Sequence, residues 1–244
     1  MDDEAIKPAW KGKGAIIIWV IIFVITLFGF SFLQSYLWET LGIPQGIWLG
    51  IIITEISIAL ICLFFALYSR KGTLEELGIK RPSTKWLILA VVLAPVVLVI
   101  VGISFTIQTA LIGEIPTDLQ EEYVRLLVPN SIPIFIGWIL IYLVIVGPAE
   151  ELFARGIVQK GLQNSLQSKT LPILLSGLLF GLWHIDPYRI VGVSVGGICF
   201  AYVYQKSGNN LIVVALLHGV YDAFSITIAF VAEQYLTTGV IPIL

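Results

Sequence analysis

Long runs of hydrophobic residues, separated by short polar segments, follow one another along most of the chain. Several runs approach the roughly 20 apolar residues that a helix needs to cross about 30 Å of hydrocarbon. Only helices and closed barrels satisfy backbone polar groups in lipid, and the alternation typical of barrel strands is absent from the sequence. We therefore predict spans near residues 15–38, 47–68, 86–112, 132–154, 171–185, 189–204 and 210–232.

The predicted fold class is all-α, a polytopic transmembrane helical bundle of about seven or eight spans. Residues 1–14 are expected to form a cytoplasmic N-terminal tail, and residues 15–244 a single transmembrane domain, because no internal repeat or long linker interrupts the pattern. The segment Thr117–Leu127 carries apolar residues at helical spacing, which predicts a short helix lying on the membrane surface.

Composition excludes several classes of protein. Of the 244 residues, 58% are hydrophobic and 12% are charged, whereas soluble domains have about 45–50% and about 25%. With two cysteines and a net charge of −2, the chain is neither a disulfide scaffold nor a binder of nucleic acid. The remaining class is an integral membrane protein, with membrane lipid as its surroundings.

The distribution of lysine and arginine predicts the orientation. In a seven-span arrangement, 12 of the 14 basic residues fall on one side of the membrane, and only Arg125 and Arg189 fall on the other. The positive-inside rule makes the basic side cytoplasmic. We therefore predict a protein of the cell membrane with its amino terminus inside and its carboxyl terminus outside.

Ionisable residues within apolar helices are costly and mark candidate functional sites. Both histidines of the chain lie in such helices. A histidine that merely joins two helices by a hydrogen bond is the plainer interpretation. The residues concerned are Glu55 in the second span, Glu150, Glu151 and Arg155 in the fourth, His184 in the fifth, and His218 and Asp222 in the seventh.

The spacing of these residues has geometric consequences. Glu151 and Arg155 are four residues apart and share a helix face, as do His218 and Asp222. Glu150 is turned about 100° from Glu151 around the helix axis. One acid can therefore point into a site while the other pairs with Arg155. Helical rise places the candidates below the surface, in a cavity of the cytoplasmic half.

Three motifs carry a resemblance to a known family. EELFAR (150–155), FGLWH (180–184) and HGVYD (218–222) resemble the ordered motifs EExxxR, FxxxH and HxxxN or HxxxD of the CPBP intramembrane proteases, which include the CAAX prenyl endopeptidases. The resemblance covers about residues 130–225, the expected catalytic core.

The resemblance implies peptide-bond hydrolysis. It assigns Glu150 and His184 to the activation of water and His218 and Asp222 to the stabilisation of the oxyanion, with Glu151, Arg155 and Phe180 in support. An ionised Asp222 would repel an oxyanion, so it is either protonated or orients His218, and we favour the second.

Zinc is an alternative, since carboxylate and imidazole are good ligands and a catalytic zinc would supply the water. The ligands would then be Glu150, His184 and His218. No HExxH motif is present, and we expect no metal cofactor.

The predicted function is that of a CAAX prenyl endopeptidase-like intramembrane protease, acting on a membrane-tethered or lipidated polypeptide that is prenylated or not. Two other functions stay open. One is a non-catalytic membrane scaffold that binds a partner, although all catalytic positions of the motifs are filled. The other is a proton-coupled transporter with Glu55, Glu150 and Asp222 as its relay, although no inverted repeat is evident.

Overall fold

The computed structural model describes residues 8–42 and 45–238, and these residues are built from helices and connecting loops without a strand. The all-α class predicted from the hydrophobic runs is therefore confirmed. Part of the predicted N-terminal tail, residues 1–7, lies outside the described residues. The same holds for residues 239–244, where the predicted external carboxyl terminus falls.

Eight helices make up the described part of the chain. Three of them contain π-helical turns between α-helical ones, and each of these is treated as one continuous helix. In chain order they are α1 (Gly12–Leu41), α2 (Gln45–Ser69), α3 (Thr84–Ile112), α4 (Thr117–Leu127), α5 (Ile132–Gln163), α6 (Leu171–Trp183), α7 (Ile190–Lys206) and α8 (Leu211–Thr238).

Five of the described helices, α1, α2, α3, α5 and α8, are long and apolar enough to cross a membrane. The fourth predicted span continues as one helix to Gln163, past the limit expected from hydropathy. Helices α6 and α7 are apolar but have 13 and 17 residues, fewer than the roughly 20 of a full crossing. The membrane-bundle class is confirmed, and the count of seven spans stays a prediction.

At one face of the bundle, hydrogen bonds join helix ends to one another and to a loop. The indole N–H of Trp10 donates to the carbonyl of Ile157 at 3.1 Å, which places the start of α1 beside the last part of α5. The amide of Leu211 donates to the carbonyl of Gly78 at 2.8 Å, which joins the start of α8 to the loop between α2 and α3. We call this the basic face, because its helix ends and loops carry Lys11, Lys13, Arg70, Lys71, Lys80, Arg81, Lys85, Lys169 and Lys206.

Helix α4 is fastened to the opposite face. The Tyr123 hydroxyl donates to the Asp186 carboxylate at 2.7 Å, in the loop between α6 and α7. Burial and this hydrogen bond raise the pKa of Tyr123 to about 12. The Gln108 amide of α3 donates to the carbonyl of Tyr188 in the same loop at 2.6 Å. The loop that follows His184 is thus held from two sides.

Helices α6 and α7 form a close antiparallel pair. A Cβ atom on Gly177 would lie 2.6 Å from the backbone nitrogen of Ile198, and one on Gly197 would lie 3.0 Å from the carbonyl oxygen of Gly177. Glycine is therefore required on both helices at this crossing. Small residues commonly allow such close approach in membrane bundles.

A ladder of side-chain hydrogen bonds fixes α5 against α7. Arg155, Gln159 and Gln163 follow one another at four-residue intervals on one face of α5. They donate to acceptors on α7 at the same interval, the carbonyls of Gly197 and Ala201 and the side chain of Gln205, at 2.9, 3.0 and 3.1 Å. The ladder sets the depth of the EELFAR segment relative to α7.

Candidate active site

The middle of α5 has unusual helical geometry. Its π-helical turns cover Tyr142–Val146 and Leu152–Gln159, with Gly147–Glu151 as α-helix between them. Such turns are rare and occur frequently at functional sites. The two adjacent glutamates therefore lie on a short regular segment bracketed by widened turns.

Two glycines bring α5 and α8 together at this depth. A Cβ atom on Gly147 would lie 3.0 Å from the backbone nitrogen of Gly219, and one on Gly219 would lie 2.9 Å from the Cα of Leu143. Backbone contact at this crossing places the side chains that follow Gly147 beside those next to Gly219. Glu150 and His218 meet for this reason.

Glu151 and Arg155 form the buried side of the site. The Nε atom of Arg155 lies 3.0 Å from Oε2 of Glu151, and both side chains are 0% exposed. The other carboxylate oxygen, Oε1, accepts a hydrogen bond at 2.8 Å from Nδ1 of His218. Glu151 therefore joins α5 to α8 and fixes the orientation of the imidazole.

Aromatic rings enclose the Arg155 guanidinium. Its central carbon lies 4.7 Å from the ring centre of Phe180 and 5.7 Å from that of Phe200. Phe200 also packs on the His218 ring, with ring centres 4.6 Å apart. The guanidinium thus neutralises Glu151 in surroundings from which solvent is excluded, because the rings cover it.

The other nitrogen of His218 faces two more carboxylates. Nε2 lies 3.7 Å from Oε2 of Glu150 and 3.4 Å from Oδ2 of Asp222. These side chains are 11% and 17% exposed, in contrast to Glu151. This is the open side of the site, where a small molecule such as water can reach the carboxylates.

His184 lies just after the last residue of α6. Its Nδ1 atom is 2.9 Å from the carbonyl oxygen of Phe180. A carbonyl only accepts, so Nδ1 carries the hydrogen, and the lone pair of Nε2 is left for another donor. The Phe180 ring lies between the two imidazoles, with ring centres 4.8 Å from His184 and 5.8 Å from His218.

The residue after His184 has a strained backbone. Ile185 has φ of 56°, which is a marked outlier for a β-branched residue. Sparsely populated backbone conformations persist where surrounding contacts impose them, and they cluster at functional sites. The turn imposed here directs the chain out of α6 immediately beyond the imidazole.

Residues of all three motifs thus come together around the Phe180 and His218 rings. Within the described part of the chain, Glu150 and His184 border this group without a direct hydrogen bond to each other. Glu150 and Glu151 face different nitrogens of His218, and Glu151 also pairs with Arg155, as their angular offset on α5 predicts. The plainer interpretation also holds in part, since His218 does link two helices.

The arrangement of the donors bears on the zinc alternative. Among the described residues, no group of three or more His, Cys, Asp or Glu side chains is disposed to hold a metal ion. The proposed ligand set of Glu150, His184 and His218 does not form a coordination group. The donors do not fit a zinc site as they are arranged in this structure.

Three features of the site are missing from the sequence interpretation. They are the bond between Glu151 and His218, the glycine crossing of α5 and α8, and the position of Glu55, which lies within electrostatic range of Glu150 and Asp222. The four-residue spacing of Glu151, Arg155, Gln159 and Gln163 indicates the polar face on α5 that packs against α7. No local spacing indicates the three features named above.

The fold and the site define a class: a polytopic membrane protein with a buried cluster of carboxylates, imidazoles and an arginine. Residues 132–224 match the model of a family described as Type II CAAX prenyl endopeptidase Rce1-like. This match confirms the resemblance to the CPBP intramembrane proteases that the three motifs indicated.

A curated relative adds little about function. An uncharacterized protein of Mycoplasma capricolum subsp. capricolum is 29% identical over 159 residues, which cover 59% of this chain and 46% of the relative. The chain therefore spans about half the length of the curated relative it matches. No solved structure matches the chain.

Proposed function

We propose that this protein is an intramembrane endopeptidase that hydrolyses a peptide bond in a membrane-tethered or lipidated polypeptide. The family match supports a CAAX-type protease in general. One observation carries the proposal: α5, α6 and α8 bring Glu150, His184 and His218 to a common, partly accessible group within an apolar bundle.

Glu150 is proposed as the general base. A water that donates one hydrogen to Nε2 of His184 gives its other proton to the Glu150 carboxylate, and its oxygen attacks the carbonyl carbon of the substrate. The carbonyl electron pair moves to the oxygen. When the intermediate collapses, the C–N bond breaks and Glu150 returns the proton to the leaving nitrogen. A positioned carboxylate contributes typically about 10²–10⁴-fold to such a step.

His218 is proposed as the donor to the oxyanion. Its Nδ1–H is taken by Glu151, so donation to the oxyanion requires a second hydrogen, on Nε2. Asp222, 3.4 Å from Nε2, supports this by holding the ring towards the open side rather than by donating itself. Donors aimed at developing negative charge contribute about 10²–10³-fold.

The proposed chemistry uses no metal. Every step is assigned to Glu150, His184 and His218, with no Lewis acid. Zinc analysis of purified, chelator-treated protein, with activity measured in parallel, tests this. Stoichiometric zinc whose removal and return switch activity off and on would contradict the metal-free mechanism.

The basic face is proposed to be cytoplasmic under the positive-inside rule, with the site opening to the cytoplasmic half of the membrane. Accessibility of single introduced cysteines to a membrane-impermeant reagent tests the orientation. Labelling at Lys71 and Lys169 positions from outside intact cells would reverse it.

The decisive test of function is a peptidase assay. Purified protein is given a panel of lipidated and unlipidated peptides, with Glu150→Gln as the variant that keeps the shape of the side chain. We expect cleavage by the wild type and a loss of about 10²–10⁴-fold in the variant. Equal thermal unfolding of the two proteins is the control for folding. Undiminished cleavage by a folded Glu150→Gln protein would defeat the assignment of Glu150 as the general base. No cleavage of any peptide by the folded wild type would defeat the proposed function, and would favour the scaffold or transporter interpretation.

A further inference from the structure

A cavity of about 510 Å³, open at the surface of the bundle, lies between α2, α5 and α8. Its walls are nearly all aliphatic, and the carboxyl group of Glu55 is the charged group among them. The volume falls within the roughly 300–1,000 Å³ typical of ligand sites. The lining includes Ile56 and Ala59 of α2, Val144 of α5 and Ile212 of α8.

The cavity adjoins the candidate active site. Pro148 and Ala149 line it, and they immediately precede Glu150. Ala215 of α8 also lines it, one helical turn before His218. An occupant of the cavity would therefore lie beside the part of α5 that carries Glu150, the carboxylate proposed as the general base.

One carboxylate oxygen of Glu55 is buried without a hydrogen-bond partner in the described part of the chain. The residue is 6% exposed, and its Oε2 atom has no hydrogen-bond partner among the described residues. Leaving a buried polar group unpaired costs about 1–3 kcal/mol, and more for a charged group. The cost is explained if the carboxyl group is paired when the cavity is occupied.

The carboxyl group of Glu55 indicates whether a lipid tail or a peptide occupies the cavity. A lipid tail would fill the apolar walls but leave the carboxyl group unpaired. An unwound peptide carries free N–H and C=O groups that cannot be left unpaired within hydrocarbon. A carboxylate accepts from an N–H, and a protonated carboxyl donates to a C=O, so Glu55 pairs with a peptide in either form.

We propose that the α2–α5–α8 cavity binds an unwound apolar segment of the substrate peptide beside the scissile bond, with Glu55 hydrogen-bonded to its main chain. This inference rests on the proposed function and names the substrate-binding part of the same site. Glu55 acts here in substrate binding rather than in proton transfer. The two roles respond differently to a glutamine side chain, which pairs with a peptide group but cannot act as a base.

Kinetics of Glu55 variants test the binding role. Glu55→Gln is expected to keep KM and kcat within about threefold of wild type, because an amide also donates and accepts. Glu55→Leu is expected to raise KM about 3–10-fold, the effect of one lost hydrogen bond, with kcat nearly unchanged. An equal fall in kcat for both variants would overturn the proposal in favour of proton transfer, and unchanged KM in Glu55→Leu would overturn it outright.

A binding measurement separates this inference from the question of turnover. In a Glu150→Gln background, a peptide with a photoreactive residue beside the scissile position is crosslinked to the protein in lipid nanodiscs. Ile56→Trp, which fills the cavity, is expected to lower crosslinking about tenfold. Ile88→Trp is the matched control, since Ile88 is 60% exposed on α3 and does not line the cavity.

The outcomes distinguish the two proposals. Crosslinking that depends on Ile56 and Glu55, in a wild-type protein that cleaves no peptide, would support the cavity assignment and count against the peptidase. Cleavage by the wild type, with crosslinking unaffected by Ile56→Trp, would overturn the cavity assignment alone. Crosslinks formed only from a probe on the lipid of a lipidated peptide would also overturn it, because a lipid tail would then be the occupant.

Discussion

Carboxylates lie on both sides of the His218 ring, but their exposure and their partners differ. On the buried side, Glu151 is 0% exposed and binds both Arg155 and Nδ1 of His218. On the open side, Glu150 and Asp222 are partly exposed and lie 3.7 and 3.4 Å from Nε2. One side thus has a compensated charge that holds the ring in place. The other has carboxylates without an arginine partner that are accessible to a small molecule such as water, as a general base requires.

A large effect on activity is expected from removing the ring that separates the two sides. His218→Ala should lower cleavage about 10²–10³-fold, because the proposed donor to the oxyanion is lost. Asp222→Asn should keep substantial activity, since asparagine can still hold the imidazole. Steady-state kinetics with one peptide substrate measure both variants. Equal and complete loss in both would contradict the assignment of Asp222 as a positioning residue.

The next effect concerns stability on the buried side. Arg155→Met leaves Glu151 buried without its cation and should destabilise the protein by about 3–5 kcal/mol. Thermal unfolding in one detergent measures the change. The double variant Glu151→Leu/Arg155→Met should recover much of this stability, because no uncompensated charge is left. It should not recover activity, since Nδ1 of His218 loses its acceptor.

A substitution of Glu150, on the open side, should affect activity without affecting stability. Glu150→Gln should leave the unfolding temperature close to that of the wild type while activity falls. If Glu150→Gln and Arg155→Met destabilised the protein equally, the distinction between a structural and a chemical carboxylate would be wrong.

A smaller effect is expected where α5 and α8 cross. Gly219→Ala places a methyl group against the backbone of α5, 2.9 Å from the Cα of Leu143. Such overpacking costs about 1–3 kcal/mol, and separating the helices should weaken the bond between Glu151 and His218. Unfolding temperature and activity should fall together. Gly102→Ala is the control, because a Cβ there meets nothing within 4 Å; equal losses in the two variants would contradict a specific role for the crossing.

The smallest effect concerns the attachment of α4. Tyr123→Phe removes the 2.7 Å hydrogen bond to Asp186, worth about 1 kcal/mol. Hydrogen exchange in α4 should rise severalfold, while activity changes less than about threefold. Tyr68→Phe, at a position 75% exposed on α2, should leave exchange in α4 unchanged. If both substitutions loosened α4 equally, the bond to Asp186 would not be what fastens it.

Much of the fold follows from the sequence because the length of an apolar run limits a membrane helix directly. The runs predict each described helix to within a few residues at most ends, and the periodicity of Thr117–Leu127 predicts α4. The limits of α6 and α7 are predicted to within two residues, although small residues dilute the hydropathy there. Hydropathy does not predict the continuation of α5 to Gln163, because the polar side chains of that part form hydrogen bonds with α7 rather than with water.

For the site, the three motifs identify the residues, and helical spacing predicts the pairing of Glu151 with Arg155. The hydrogen bond between Glu151 and His218 joins positions 67 residues apart, and no local pattern encodes such a distance. The same is true of the contact between Gly147 and Gly219. Glu55 lies outside the motifs altogether, and only the packing of α2 against α5 and α8 places it next to them.

By itself the sequence determined that this chain is a helical membrane protein with ionisable residues inside its apolar helices. It also determined that Glu150 and Glu151 point in directions about 100° apart, since adjacent helical residues must do so. Only the tertiary structure decided which acid is neutralised and which is left accessible. The physical reason is that the cost of burying a carboxylate depends on the partners that other helices bring to it.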